Sequence, residues 1–205
     1  MKNTIDGKLL LASASPRRKE LLTQMGVSFE VRISNQEERC ESTIPQEMVK
    51  ELALQKAENV AREYWKKEAG EKGAFPVRIL GADTIVVQNG AILGKPKNRT
   101  DAVRMIRDLQ GSSHFVYTGV ALLCYDAAGQ KTVQTHVEET RVFVHPMTGD
   151  EILEYVNSGE CDDKAGAYGI QGSFGKYIHR IEGDYYNVVG LPLSAVYQML
   201  KRNGI

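Results

Sequence analysis

The chain has 205 residues, 42% of them hydrophobic, and its 26 lysines and arginines are balanced by 26 aspartates and glutamates. Neutral net charge argues against a coat for nucleic acid, which needs a basic surplus, and no stretch approaches the ~20 apolar residues of a membrane span. The length suits one domain over 1–205 with a substantial core, with room for two lobes around a cleft.

Leu9–Ala12 is a short apolar run of the kind that forms a buried strand. It is brief and Arg17 and Arg18 follow at once, so no signal peptide is expected. Ser15 suits an N-cap, Pro16 the first helical position, and Gly26 a stop. Val27, Phe29, Val31 and Ile33 alternate as in a half-buried strand. After the polar segment SNQEERCEST, Pro45 opens a long helix to about Trp65, with Val49, Leu52, Ala53, Ala57, Val60, Ala61 and Tyr64 on one face. KKEAGEKGAFP is a charged connector, and VRILGADTIVV and AILG around QNG predict a hairpin. Thr100 is placed to cap a helix through Leu109 that Gly111 stops. Phe115–Tyr125 and Thr132–Val144 read as long strands, and Thr148 with Glu151 forms a capping box for a helix ending at Gly159. KYIHRIEGDYYNVVG suggests another hairpin, and Pro192 opens a last helix that fades at Asn203-Gly204. Helices alternate with strands and hairpins intervene, which predicts an α/β fold with α+β character: a mixed, twisted sheet flanked by helices.

Cys40, Cys124 and Cys161 are odd in number and widely spaced, which gives neither a disulfide framework nor a zinc site and suits a reducing cytoplasm. His114, His136, His145 and His179 show no ligand spacing and read as ordinary surface or core residues. Arg17 and Arg18 are different. They fall in the first turn of a helix, where free backbone N–H groups and the helix dipole already favour an anion. Two guanidinium groups there ask for a polyphosphate both can grip, and Ala12, Ser13 and Ala14 are small enough to let one approach. A solvated basic pair beside acidic side chains is the competing explanation. No Walker A pattern occurs in the chain.

Asp83 interrupts a run that otherwise reads as strand core and resumes with Thr84, Ile85, Val86 and Val87; aspartate is disfavoured there unless it has work to do. Gly81 and Ala82 leave space for something to come near the main chain. Lys56 lies on the apolar face of the long helix, Lys95 in GKPKN, and Glu37 and Glu38 in a polar loop; each alone would pass as ordinary. In DDKAGAYGIQG, Gly166, Gly169 and Gly172 recur every third residue around Tyr168 and Gln171. Flexible connectors are poor in Tyr and Ile, so the pattern predicts a rigid binding loop whose backbone and Gln171 amide face a ligand such as a base edge.

LLASASPRRKELL, LGADTIVV, GKP, GVAL, DKAGAYGIQG and VVGLPL, in order over nearly the whole chain, together resemble the Maf family of nucleoside triphosphate pyrophosphatases. The resemblance implies an elongated twisted sheet with a deep central cleft, commonly a homodimer, and a reaction that splits a nucleoside triphosphate between its α- and β-phosphates with a divalent cation, Mg²⁺ or Mn²⁺. It implies Asp83 as proton acceptor, and Ser13, Arg18, Glu38, Lys56, Lys95, Asp163 and Lys164 as further polar site residues. Glu37 is the alternative to Glu38, because SNQEER follows the family's acidic loop only loosely. Arg17, Thr84 and Gln171 look like the branch acting on dTTP and UTP. A link to cell-division arrest is also implied. On this basis Arg18, Lys56 and Lys95 neutralise phosphate charge, Glu38 and Asp83 are the candidate metal ligands, and Asp83 deprotonates the attacking water. A non-catalytic nucleotide sensor and an inosine-triphosphate type house-cleaning enzyme are the alternatives.

Overall fold

The computed structural model describes residues 7–68 and 76–204; most of the expected charged connector lies outside them. The described chain carries seven strands: β1 (Lys8–Ala12), β2 (Glu30–Val31), β3 (Val77–Gln88), β4 (Ala91–Leu93), β5 (Ser113–Tyr125), β6 (Lys131–Val144) and β7 (Ile178–Glu182). The helices are α1 (Pro16–Gln24), α2 (Pro45–Glu68), α3 (Arg99–Leu109), α4 (Gly149–Asn157), α5 (Tyr185–Val189) and α6 (Leu193–Arg202). The strands run in the order β2-β1-β3-β5-β6-β7, with β4 paired to β3. Pairings of β1 are parallel, whereas β4 and β7 pair antiparallel, so the sheet is mixed as expected.

The residues group into two compact units. One holds the chain through Asp83 with Thr118–Val137 and the residues from Gly190, the other Thr84–Tyr117 and Glu138–Val189. In the first, β1 lies between β2 and β3 with Leu10 opposite both Glu30 and Ile79. The predicted stripe of α2 is the one that packs: Ala53, Ala57, Val60, Ala61 and Tyr64 share a core with Leu10, Ala12, Val77, Ile79, Ala121 and Leu123. Two glycines set how closely that helix lies. A Cβ on Gly81 would stand 2.1 Å from the Ala53 carbonyl oxygen, and one on Gly119 would stand 2.2 Å from that of Val49. The space predicted beside Gly81 is therefore filled by the α2 backbone. Residues 27–33 contribute only Glu30–Val31 to the sheet, and Ile33 is 52% exposed, so the alternation there overstates the strand. Among the described residues β2 has no neighbour on its outer side in the strand order, and the segment leaves the sheet early.

In the second unit, Asn89 and Gly90 both take positive φ (50° and 78°), as the tight hairpin between β3 and β4 requires. Asn98, and not Thr100, caps α3: its side chain accepts the Asp101 N–H at 2.9 Å. The Thr148–Glu151 capping box opens α4 as predicted. Met105, Ile106, Leu109, Val116, Val142, Ile152, Tyr155, Phe174 and Tyr177 belong to the core. The expected hairpin in KYIHRIEGDYYNVVG does not form. Its first half is β7, which pairs with β6, and its second half is α5. Asp184 decides this: its carboxylate accepts the Tyr186 N–H at 2.8 Å, an Asx turn that starts a helix. Buried Asn187 then donates to the Val116 carbonyl at 3.1 Å and to Thr140 Oγ1 at 2.9 Å.

Candidate active site

Ser13, Arg17, Arg18, Glu38, Lys56 and Asp83 all belong to the first unit. Their centre is an ion-paired cluster. Lys56 reaches from α2 to the Asp83 carboxylate on β3, and its Nζ is 3.0 Å from Glu38 Oε2. The side chains of Lys56 and Asp83 are only 20% and 16% exposed, while Glu38 is the more open at 37%. One ammonium thus holds two carboxylates from different segments, an arrangement that is costly to desolvate. Glu37 turns away and pairs with Arg39 at 3.0 Å. Of the two loop acids, Glu38 is the one at the cluster.

Beside it, Arg18 is clamped. Its Nε donates to the Gly190 carbonyl at 2.8 Å, and one Nη donates to the Ala82 carbonyl at 2.8 Å and to Ser13 Oγ at 3.1 Å. The same hydroxyl accepts the Ser15 N–H at 3.3 Å, which fixes the turn entering α1, whose Ser15 cap makes no side-chain bond and whose first turn has no acid. Burial pulls the Arg18 pKa below its ordinary value; Asp83 opposes that, Arg17 adds to it, and Glu38 opposes it. The guanidinium remains a fixed cation at the start of α1. Its bonds to Gly190, Ala82 and Ser13 set its geometry through the fold.

The other predicted residues belong to the second unit. Thr84 is half-buried on β3, and Lys95 and Gln171 are exposed. The Gly94 carbonyl accepts the Gly166 N–H at 3.0 Å, which joins the segment bearing Lys95 to the glycine loop. Lys164 Nζ donates to the Glu160 carbonyl at 2.5 Å and to Asp163 Oδ1 at 2.7 Å. Two of the loop's glycines are placed for an identifiable reason. Cβ atoms on Gly169 and Gly172 would strike the Lys164 stem at 2.7 Å and the Glu160 carboxylate at 2.2 Å, so each glycine makes room for a side chain crossing it. From beneath, the Tyr155 hydroxyl donates to the Ala167 carbonyl at 3.2 Å, and buried Tyr168 meets His114 Nε2 at 2.7 Å. Burial lowers the His114 pKa to about 4.

The family model for Maf-like protein matches residues 8–203. The chain belongs to the Maf family. It is 44% identical over 198 residues to a dTTP/UTP pyrophosphatase of Lachnoclostridium phytofermentans, covering 97% of this chain and 96% of that protein. It is 46% identical to one of Acetivibrio thermocellus (97% and 96% covered) and 47% identical to one of Symbiobacterium thermophilum (96% and 94%).

Among the described residues of this Maf chain, no group of three or more His, Cys, Asp or Glu is arranged to hold a metal unaided. The donors present are two carboxylates, Glu38 and Asp83, converging on one positive charge. That set fits Mg²⁺ or Mn²⁺, which take one or two protein carboxylates and complete their shell with phosphate oxygens and water. Glu51 and Gln55 on α2, which bond to Cys40 and Arg39 just after Glu38, carried no signal in the sequence, because on a half-polar helix face they look like solvated side chains. The Ala82 and Gly190 carbonyls that hold Arg18 were equally hidden, since main-chain acceptors have no residue signature. The cysteines are free, as their spacing indicated.

Proposed function

We propose that this chain hydrolyses dTTP and UTP between the α- and β-phosphates, releasing the nucleoside monophosphate and pyrophosphate. The observation that carries the proposal is the Asp83–Lys56–Glu38 cluster beside the Arg18 clamp, in a chain whose near-full-length relatives are named dTTP/UTP pyrophosphatases. Hydrolysis of a phosphoanhydride needs charge neutralisation and an oriented water, with little else for the protein to do. Asp83, on a rigid strand, orients the water and takes one of its protons, while the water oxygen bonds to phosphorus and pyrophosphate departs. Lys56 and Arg18 stabilise the charge developing on the phosphate oxygens, with Lys95 and Lys164 assigned to the same task. Glu38 and Asp83 would hold the divalent cation, which when bound neutralises phosphate charge as a Lewis acid. Ser13 keeps the entry to α1 in shape through Ser15 and Arg18. Asp163 sets Lys164, and Arg17, Thr84 and Gln171 read the pyrimidine.

Free cysteines support a cytoplasmic setting, and no helix among the described residues is long and apolar enough to cross a membrane. We extend the proposal to a homodimer on the family resemblance alone. The test is a substrate panel of dTTP, UTP, 7-methyl-GTP and ITP with Mn²⁺, following nucleotide and pyrophosphate. Monophosphate and pyrophosphate from dTTP and UTP in preference to the purines support the proposal. Preference for ITP, or binding of dTTP without turnover, refutes it.

A further inference from the structure

The segment carrying Glu38 has almost no regular structure of its own, yet Glu38 reaches Lys56. It does so because residues 34–40 are laid antiparallel along α2 and fastened to it by side chains. Ser34 Oγ donates to Glu63 at 2.8 Å, and Arg62 donates to the Gln36 side chain at 3.3 Å. Nearest the cluster, the Gln55 amide bonds both main-chain polar groups of Arg39: its Oε1 accepts the Arg39 N–H at 3.1 Å and its Nε2 donates to the Arg39 carbonyl. The same Nε2 also donates to Glu51 at 3.2 Å, and the Cys40 thiol donates to the other Glu51 oxygen at 3.1 Å. Burial and the bond to Glu51 raise the Cys40 pKa, so the thiol stays a protonated donor in this lattice.

A primary amide carries one acceptor and a donor that match the N–H and C=O of one residue, and because these belong to the peptide groups on either side of Arg39, the pairing fixes the main chain on both sides of the residue that follows Glu38. Gln55 is also the residue before Lys56. One helix turn therefore supplies both the ammonium of the cluster and the fixture for the loop that brings the second carboxylate to it. We infer that Gln55 is a positioning residue for Glu38: by gripping the Arg39 N–H and C=O it holds the Glu38 carboxylate at Lys56 and Asp83, where a divalent cation would be held. This rests on the role given to Glu38 under the proposed function.

The test uses Gln55→Leu, which keeps size and helix propensity and removes both bonds to Arg39 together with the one to Glu51, with Gln55→Ala as a second variant should leucine disturb folding. Two readouts are needed: the Mn²⁺ concentration for half-maximal pyrophosphate release from dTTP, and Mn²⁺ binding with the α,β-methylene analogue of dTTP, followed by loss of the free-ion EPR signal. Losing two bonds of ordinary net strength should raise both concentrations about tenfold, while kcat at saturating Mn²⁺ stays within about twofold. On a Glu38→Gln background, Gln55→Leu should add nothing, because the residue acts through Glu38. Unchanged Mn²⁺ dependence, a lowered kcat at all Mn²⁺ concentrations, or full additivity with Glu38→Gln would each overturn the inference. If the wild-type chain released no pyrophosphate, the proposed function would fall. The Mn²⁺-binding arm and the exchange rate of the Arg39 amide hydrogen would still decide the role of Gln55.

Discussion

Gly81→Ala adds one methyl group at the point where β3 touches α2, two residues before Asp83. Its Cβ would lie 2.1 Å from the Ala53 carbonyl oxygen, 3.0 Å from the Ala57 nitrogen and 3.1 Å from the Ala57 Cβ. All three belong to the helix turn that carries Lys56, and two are main-chain atoms that cannot rotate aside. Restoring a normal contact requires the strand and helix to separate by more than ~1 Å, and the second close approach at Gly119 resists that movement. Overpacking of this kind costs about 1–3 kcal/mol, and fixed main chain on both sides places it at the upper end. For a chain of this length, ~3 kcal/mol lowers Tm by about 6–12 °C. The same shift draws Lys56 from Asp83 and Glu38, and a misplacement of ~1 Å can cost about 100-fold in rate. Thermal unfolding and kcat for pyrophosphate release from dTTP measure the two effects on one sample. A variant within about 2 °C and about twofold of wild type would show that α2 is not seated through Gly81 and that the spacing of the cluster is not set there.

Replacing Arg18 with Lys removes a fork that meets Gly190, Ala82 and Ser13 together; one ammonium cannot span them, so urea unfolding should show a loss of about 2–3 kcal/mol, and unchanged stability would contradict the clamp. Stability should also fall in acid through His114. Its folded-state pKa of about 4 lies below the ordinary 6.5, so the unfolded chain binds the extra proton first. The contribution is complete above pH ~6.5, shrinks as pH falls, and is gone below ~4, about 3 kcal/mol in all at 1.36 kcal/mol per unit. Unfolding free energies across that range should slope less steeply in His114→Gln than in wild type, and parallel slopes would refute the assignment.

Much of the fold was legible because local chemistry and final structure agree. The Asn89-Gly90 turn, the Thr148–Glu151 box and the α2 stripe each use a signal that acts within a few residues. Failures came where a distant partner decided. Asp184 starts a helix and β7 pairs with β6, so a segment with hairpin patterning splits into a strand and a helix. The space beside Gly81 was readable, but its occupant, a helix some thirty positions earlier in the chain, was not. In the site, Asp83 stood out because a carboxylate in a β-branched run is anomalous. Lys56 gained meaning only from the carboxylates it meets, and Gln55 was invisible because its partners on the loop are the main-chain N–H and C=O of Arg39.

The most direct measurement is pyrophosphate release from dTTP by Asp83→Asn beside wild type, with nucleotide binding and Tm measured on the same preparations. Asparagine keeps the shape of the side chain and removes its ability to take a proton. Release should therefore fall by about 100-fold or more, while the nucleotide still binds and the fold is retained. Release at the wild-type rate from a correctly folded Asp83→Asn protein would contradict the central claim that this strand-borne carboxylate activates the water.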